Sequence, residues 1–143
     1  MQNNRLCRWE HFTHDADMGI RGYGDTIEHA FAQAALAMTA VITDPERVQP
    51  QKSLQVQCQS QDLELLFVDW LNALVYNMSV EQMLFCRFDV KIKKDKLIAT
   101  VWGEHIDRSR HEPAVEVKGA TYTELKVKKT DDDLWLTQCI VDI

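Results

Sequence analysis

The sequence contains none of the short motifs that mark the large families of nucleotide-dependent and hydrolytic enzymes. It has no P-loop, no GxGxxG fingerprint, no HExxH zinc motif and no nucleophile elbow. A serine or cysteine triad built from distant residues has no local support either. These absences argue against a P-loop NTPase, a Rossmann dehydrogenase, a zincin protease or an α/β-hydrolase.

Long hydrophobic runs are also missing. No apolar stretch approaches the length needed to span a bilayer, and residues 1–5 are not followed by an apolar run of signal-peptide length. We therefore expect a cytoplasmic protein with no membrane partner. The length and the ordinary composition of the chain predict one globular domain, residues 1–143.

The cysteines do not form a CxxC pair. All four lie in apolar or alternating stretches, where a thiol packs as a small hydrophobic group, and they are Cys7, Cys58, Cys86 and Cys139. Two disulfides are the alternative for an even count, but no other feature indicates secretion. We expect four free thiols.

Basic side chains are too few for a protein that binds nucleic acid through its phosphates. The chain has 16 Lys and Arg against 22 Asp and Glu, which gives a formal charge of −6. Direct nucleic-acid binding is therefore not expected. A basic protein or a bound cation is the better electrostatic match, and the alternative is an acidic surface that serves only solubility.

Two stretches have the periodicity of amphipathic helices, at about 26–43 and 61–78. Asp25 and Glu28 resemble a capping box at the start of the first helix, and Pro45 ends it. Alternating patterns predict strands at 7–13, 18–23, 54–58, 87–93, 96–102, 114–128 and 134–141.

This order of elements predicts an α+β fold with two layers, in which a mostly antiparallel (mixed) β-sheet packs against two α-helices. The short link at Lys94 and Asp95 predicts a hairpin between two of the strands. The polar segment 104–113 is expected to be the most mobile part of the chain.

Ionisable side chains are crowded near the start of the chain. Residues 9–17 contain five of them, including His14, Asp15 and Asp17. Crowded carboxylates raise one another's pKa unless a cation or hydrogen-bond donors compensate, so such a cluster is typical of a metal or catalytic site. The alternative is a solvated turn with capping aspartates.

A second pair of anions lies at the other end of the sequence, where Asp142 precedes Ile143 and its α-carboxylate. If the last strand places them beside Asp17, the three groups form an all-oxygen pocket. Such a pocket suits a hard divalent cation, Ca²⁺ first and Mg²⁺ or Mn²⁺ as alternatives. The alternative is a frayed terminus, although the apolar stretch 134–141 should anchor the end in the sheet.

Blocks of residues spread over positions 9–143 resemble the archease family. They are Glu10-His11-Phe12 with His14 and Ala16-Asp17-Met18-Gly19-Ile20, Tyr23-Gly24-Asp25-Thr26, Asp62-Leu63-Glu64-Leu65-Leu66-Phe67 with Trp70-Leu71, Gly103-Glu104, His111, Glu116-Val117-Lys118 with Thr121-Tyr122, and Val141-Asp142-Ile143.

The resemblance implies a protein cofactor without catalytic residues of its own. Archeases assist the RtcB-type tRNA-splicing ligase, which joins RNA ends that carry a 2′,3′-cyclic phosphate or a 3′-phosphate to a 5′-hydroxyl. They promote guanylylation of the ligase, allow multiple turnovers and widen nucleotide use beyond GTP. By resemblance, Asp17, Asp142 and Ile143 hold a divalent cation, calcium, and these are the groups that the charge argument selects.

The sequence departs from the family pattern beside these residues. Archeases usually have Asp-His-Thr-Ala-Asp where this chain has Thr13-His14-Asp15-Ala16-Asp17. The exchange could add Asp15 to the ion or alter its surroundings, so His14 and Asp15 are candidates for flanking or partner-contacting residues. Lys118 is another: it either contacts a phosphate or blocks an exposed sheet edge.

Two other functions stay open at this point. A small metal-dependent phosphoesterase would use Asp17 and His14 around an activated water and would hydrolyse a phosphoester without a partner. A chaperone-like protein-binding module with a structural ion would lose thermal stability without the ion, with no further effect on ligase kinetics.

Overall fold

Two antiparallel sheets and two long helices make up the fold in the computed structural model, which describes residues 6–143. In chain order the elements are β1 (Arg8–His14), β2 (Asp17–Gly24), α1 (Ile27–Ile42), a 3-10 turn (Pro45–Arg47), β3 (Lys52–Gln59), α2 (Leu63–Glu81), β4 (Met83–Lys93), β5 (Lys96–His105), α3 (Arg108–His111), β6 (Gly119–Ala120), β7 (Lys126–Lys129) and β8 (Trp135–Asp142). The predicted α+β class is confirmed.

The strands are divided between two sheets, where the sequence predicted one. The first sheet has the order β1-β2-β8-β6, with β7 pairing to another part of β8, and the second has the order β3-β5-β4. All pairs described are antiparallel, and the predicted hairpin between β4 and β5 is present. The last strand is thus a central one, which anchors the end of the sequence as expected.

Helix α1 packs closely on the first sheet. Its N-cap is Thr26, whose side chain accepts a hydrogen bond from the amide of His29, so the cap lies one residue after the predicted Asp25. A side chain at Gly22 would collide with the backbone of Ala30 and Ala34. The absence of a side chain there lets the helix lie directly on the sheet.

Helix α2 contacts strands of both sheets and packs against α1. Asp62 caps its start by accepting bonds from the amides of Glu64 and Leu65. Trp70 is fully buried, and its indole N–H donates to the carbonyl oxygen of Phe31 at 3.1 Å. This bond holds α2 against α1.

Two predicted segments differ from the structure. Residues 114–128 form only the short β6 and the start of β7. Before β6 the chain makes isolated backbone bonds, from the amide of Ala114 to Ile42 and from the amide of Lys118 to Asp142, and no continuous ladder. Segment 104–113 is not a loose loop: Glu104 is buried, and α3 folds back so that Arg110 and His111 bond to it.

All four cysteines are free thiols, as predicted; Cys139 is buried and the other three are half-buried. Between residues 6 and 143, no helix has the length and apolarity to cross a membrane.

Candidate metal centre

The tip of the β1–β2 hairpin carries three of the predicted site residues. His14 pairs with Asp17, which leaves Asp15 and Ala16 as a two-residue turn. Asp15 has a φ of 52°, in the left-handed region that a tight hairpin turn requires and that aspartate tolerates better than most residues. The hairpin therefore presents His14, Asp15 and Asp17 together at one end of the first sheet.

The pairing between β2 and β8 brings the end of the sequence to this tip. Met18 pairs with Val141, so one further step of the same register places Asp17 opposite Asp142. Side chains at directly opposite positions share a face, with Cβ atoms about 5 Å apart. Because His14 pairs with Asp17, His14 lies on that face as well.

The segment that leads into β6 closes the other side of Asp142. Gly119 pairs with Asp142, and the amide of Lys118 donates to the carbonyl oxygen of Asp142 at 2.8 Å. Lys118 is exposed at the edge of the sheet. The six predicted site residues therefore lie at one end of the first sheet, with Ile143 following Asp142. Among the described residues, the side-chain ligand atoms of His14, Asp15, Asp17 and Asp142 do not converge as a group of three.

The carboxylates at this end are largely uncompensated. Within residues 6–143, no side chain forms an ion pair or hydrogen bond with the carboxylate of Asp17 or Asp142. At the hairpin tip, His14 Nδ1 lies 3.9 Å from Asp15 Oδ2, and the Asp15 side chain is 93% exposed. Ile143 packs on the core, which fixes the position that follows Asp142. This set of oxygen donors suits a hard cation.

The hairpin itself is held by contacts on its outer face. The ring of Phe12 lies over Gly19, the residue that it pairs with, and the guanidinium of Arg21 lies 4.4 Å from the centre of that ring. Arg21 also bonds to Glu10 at 2.6 Å and to Gln138 at 2.7 Å. The Arg21 contact holds the pKa of Glu10 below its usual value. These contacts bind β1, β2 and β8 into one rigid unit.

Two clusters were missed by reasoning from the sequence. One is the network around buried Glu104, where Arg110 and His111 return through a short helix that no periodicity reveals. The other joins Cys7, Asp25 and His29 at the opposite end of the β1–β2 hairpin. The spacing of Asp25 and His29, four residues apart at a helix start, was the available signal.

Known proteins match this chain over nearly its whole length. The model of the Archease protein family (MTH1598/TM1083) matches residues 9–143. Protein archease of Pyrococcus abyssi is 41% identical over 142 residues, which covers 96% of this chain and 100% of that protein. Protein archease of Methanosarcina mazei is 37% identical over 141 residues, which covers 95% of this chain and 96% of the relative.

A solved structure agrees with the fold. The solution structure of Methanobacterium thermoautotrophicum protein 1598 matches with a TM-score of 0.77 at 30% identity, covering 94% of this chain and 98% of that one. Sequence and fold point to the same group of proteins, and the chain belongs to the archease family.

Proposed function

We propose that this archease is a metal-binding activator of an RtcB-type tRNA-splicing ligase and is not itself an enzyme. In this proposal it promotes guanylylation of the ligase, which sustains multiple turnovers and broadens nucleotide use in tRNA splicing or RNA repair. The family membership supports the partner, and the carboxylate centre supports the metal.

One observation supports the metal part of the proposal. The register of β2 and β8 pairs Met18 with Val141, and one further step of it brings Asp17 opposite Asp142, which Ile143 follows, so carboxylates from the two ends of the sequence share one end of a sheet. Their mutual repulsion would be relieved by a divalent cation, with Ca²⁺ favoured and Mg²⁺ or Mn²⁺ as alternatives.

The groups around this centre could interact with the phosphates of a nucleotide bound to the partner. A bound cation at the centre would supply positive charge to phosphate oxygens and to a leaving pyrophosphate. Lys118 lies exposed beside Asp142 and offers a further positive group on the same side. His14 and Asp15 at the hairpin tip are placed to flank the ion or contact the ligase.

Electrostatics also favours a protein partner over RNA. The net charge of −6 opposes phosphate binding but is complementary to a basic surface on a ligase. The ligase would hold the RNA, while this chain would act on its nucleotide-loading step.

The test is transfer of radiolabelled GMP from GTP to the cognate ligase, with and without this protein. We expect the wild-type protein to accelerate guanylylation and Asp17→Ala or Asp142→Ala to abolish the acceleration. Asp131→Ala is the matched control, because it removes one exposed carboxylate before the start of β8, at the far end of that strand. It should behave as wild type.

The same experiment separates the alternatives. If the wild-type protein does not affect guanylylation, the activator proposal fails. Hydrolysis of a phosphoester by the protein alone, lost in Asp17→Ala and in His14→Ala, would identify a phosphoesterase. If both aspartate variants lose thermal stability but still activate the ligase, the ion is structural and the chaperone-like module is the better description.

A further inference from the structure

A second group of possible metal ligands lies at the end of the β1–β2 hairpin that is remote from Asp17. The Sγ atom of Cys7 lies 3.6 Å from Oδ1 of Asp25, and Nδ1 of His29 lies 2.5 Å from the same oxygen. The three ligand atoms all lie within 4.8 Å of one another. A thiol, an imidazole and a carboxylate therefore converge on one point.

The fold brings these residues together from two separate segments. Arg8 pairs with Tyr23, so one further step of that register places Cys7 beside Gly24, and Asp25 comes next. His29 lies four residues after Asp25, one helical turn away, and its amide is fixed by the Thr26 cap. A side chain at Gly24 would collide with His29, so glycine at position 24 keeps the space open.

One of the distances between ligand atoms already fits a tetrahedral zinc site. Bonds of zinc to sulfur, nitrogen and oxygen ligands place those atoms about 3.4–3.6 Å apart. The sulfur–oxygen distance already has this value, and the His29–Asp25 pair would have to widen by about 0.9 Å. Both side chains are about half exposed, so their rotation meets little resistance.

In the absence of a metal, hydrogen bonds link the three proposed ligands. One oxygen of Asp25 accepts from both the thiol of Cys7 and the ring of His29, so protons now hold the three groups together. A metal that binds these three groups must displace those protons.

We propose that Cys7, Asp25 and His29 bind one Zn²⁺ ion, with water as the fourth ligand. On binding, the Cys7 thiol and Nδ1 of His29 each release a proton to solvent. His29 then coordinates through Nδ1 as the neutral tautomer with one proton on Nε2, which a ring that was already neutral takes up from solvent. The mixed sulfur, nitrogen and oxygen donors select a borderline cation, whereas the carboxylate centre selects a hard one. The ion joins the segment before β1 to the start of α1 and stabilises that junction.

The experiment is a titration of the purified full chain with Co²⁺, in the presence of excess Ca²⁺ to saturate the carboxylate centre. We expect one equivalent to produce the visible absorption of tetrahedral Co²⁺ with a near-ultraviolet thiolate-to-cobalt band, and one equivalent of Zn²⁺ to remove both. In competition with a chromophoric chelator, Cys7→Ser and His29→Gln should each weaken zinc binding at least tenfold.

Cys58→Ser is the matched control, because Cys58 is also a half-buried thiol but lies on β3, outside the cluster. It should bind both metals as wild type does. Each variant is first compared with wild type by circular dichroism in chelator, so that loss of folding is not mistaken for loss of a ligand. The proposal is overturned if the wild type gives no thiolate-to-cobalt band, or if folded Cys7→Ser or His29→Gln binds zinc as tightly as wild type.

Discussion

Arg110 binds the carboxylate of Glu104 through both ends of its guanidinium, with bonds of 2.9 Å from Nη1 to Oε2 and 2.7 Å from Nη2 to Oε1. The amide of Gln49 donates to Oε2 at 2.8 Å, and His111 Nε2 lies 2.9 Å from the same oxygen. Glu104 is only 5% exposed. One buried carboxylate thus joins the end of β5, the chain before β3 and the short helix α3.

We predict that Glu104→Gln destabilises the protein at neutral pH. The substitution removes the negative charge, and the two-ended bond with Arg110 cannot form in the same way. The free energy of unfolding should fall by about 2 kcal/mol at pH 7, measured by urea denaturation. Arg47→Gln is the control, because Arg47 makes only an exposed ion pair with Glu112 and should cost far less.

The effect of Glu104→Gln should also depend on pH. The bonds from Arg110, with those from Gln49 and His111, lower the pKa of Glu104 from about 4.5 to about 2. Because the folded pKa is the lower one, this stabilisation is complete above about pH 4.5 and is lost as the pH falls towards 2. The difference between wild type and variant should therefore shrink by more than half between pH 7 and pH 3. A difference independent of pH would contradict the assignment.

The same network fixes the tautomer of His111. The amide of Asp107 donates to Nδ1 of His111 at 2.9 Å, so Nδ1 is an acceptor and the ring proton lies on Nε2, where it donates to Glu104. We predict the Nε2–H tautomer at neutral pH. Long-range ¹H–¹⁵N correlation spectra of the histidine rings would measure it directly. A protonated Nδ1 would contradict the proposed direction of both bonds.

Much of the fold could be predicted from local patterns, and the exceptions have physical causes. The proline after α1 marks the end of that helix. Helix α2 continues past its predicted end to Glu81, where the left-handed conformation of Gln82 stops it, and the sequence does not signal that stop. The division into two sheets depends on which strands pair, and alternation within a strand does not specify its partner.

The carboxylate centre and the cluster of Cys7, Asp25 and His29 also differ in how far the sequence predicts them. Asp17, Asp142 and Ile143 were predicted from their charge and from the resemblance, and the strand register makes them neighbours. Their role as ligands stays a prediction. The sequence indicated only that Cys7 is a packed thiol. Its nearness to His29 depends on the pairing of β1 with β2 and on a helix capped by Thr26. Such proximity has no signature within a single segment.

A further prediction concerns the Phe12–Gly19 pair that holds the hairpin. A methyl group at position 19 would overlap the ring of Phe12, so Gly19→Ala should lower the free energy of unfolding by about 1–3 kcal/mol. The penalty should largely disappear in the Phe12→Ala background, which a double-mutant cycle measures by denaturation. Gly119→Ala is the matched control, because a methyl there would approach only Asn72, at 3.3 Å. Equal penalties in both backgrounds would contradict direct contact as the cause.

The last prediction separates ion binding at the carboxylate centre from ligase activation. After treatment with chelator, Ca²⁺ added at about 100 times its dissociation constant should stabilise the wild-type protein by about 2.7 kcal/mol, because it binds only the folded chain. For a domain of this size the melting temperature should rise by about 5–10 °C. Differential scanning fluorimetry would show the rise in wild type and in Asp131→Ala, and its absence in Asp17→Ala and Asp142→Ala. A calcium shift of wild-type size in those two variants would place the ion elsewhere, even if both variants failed to activate the ligase.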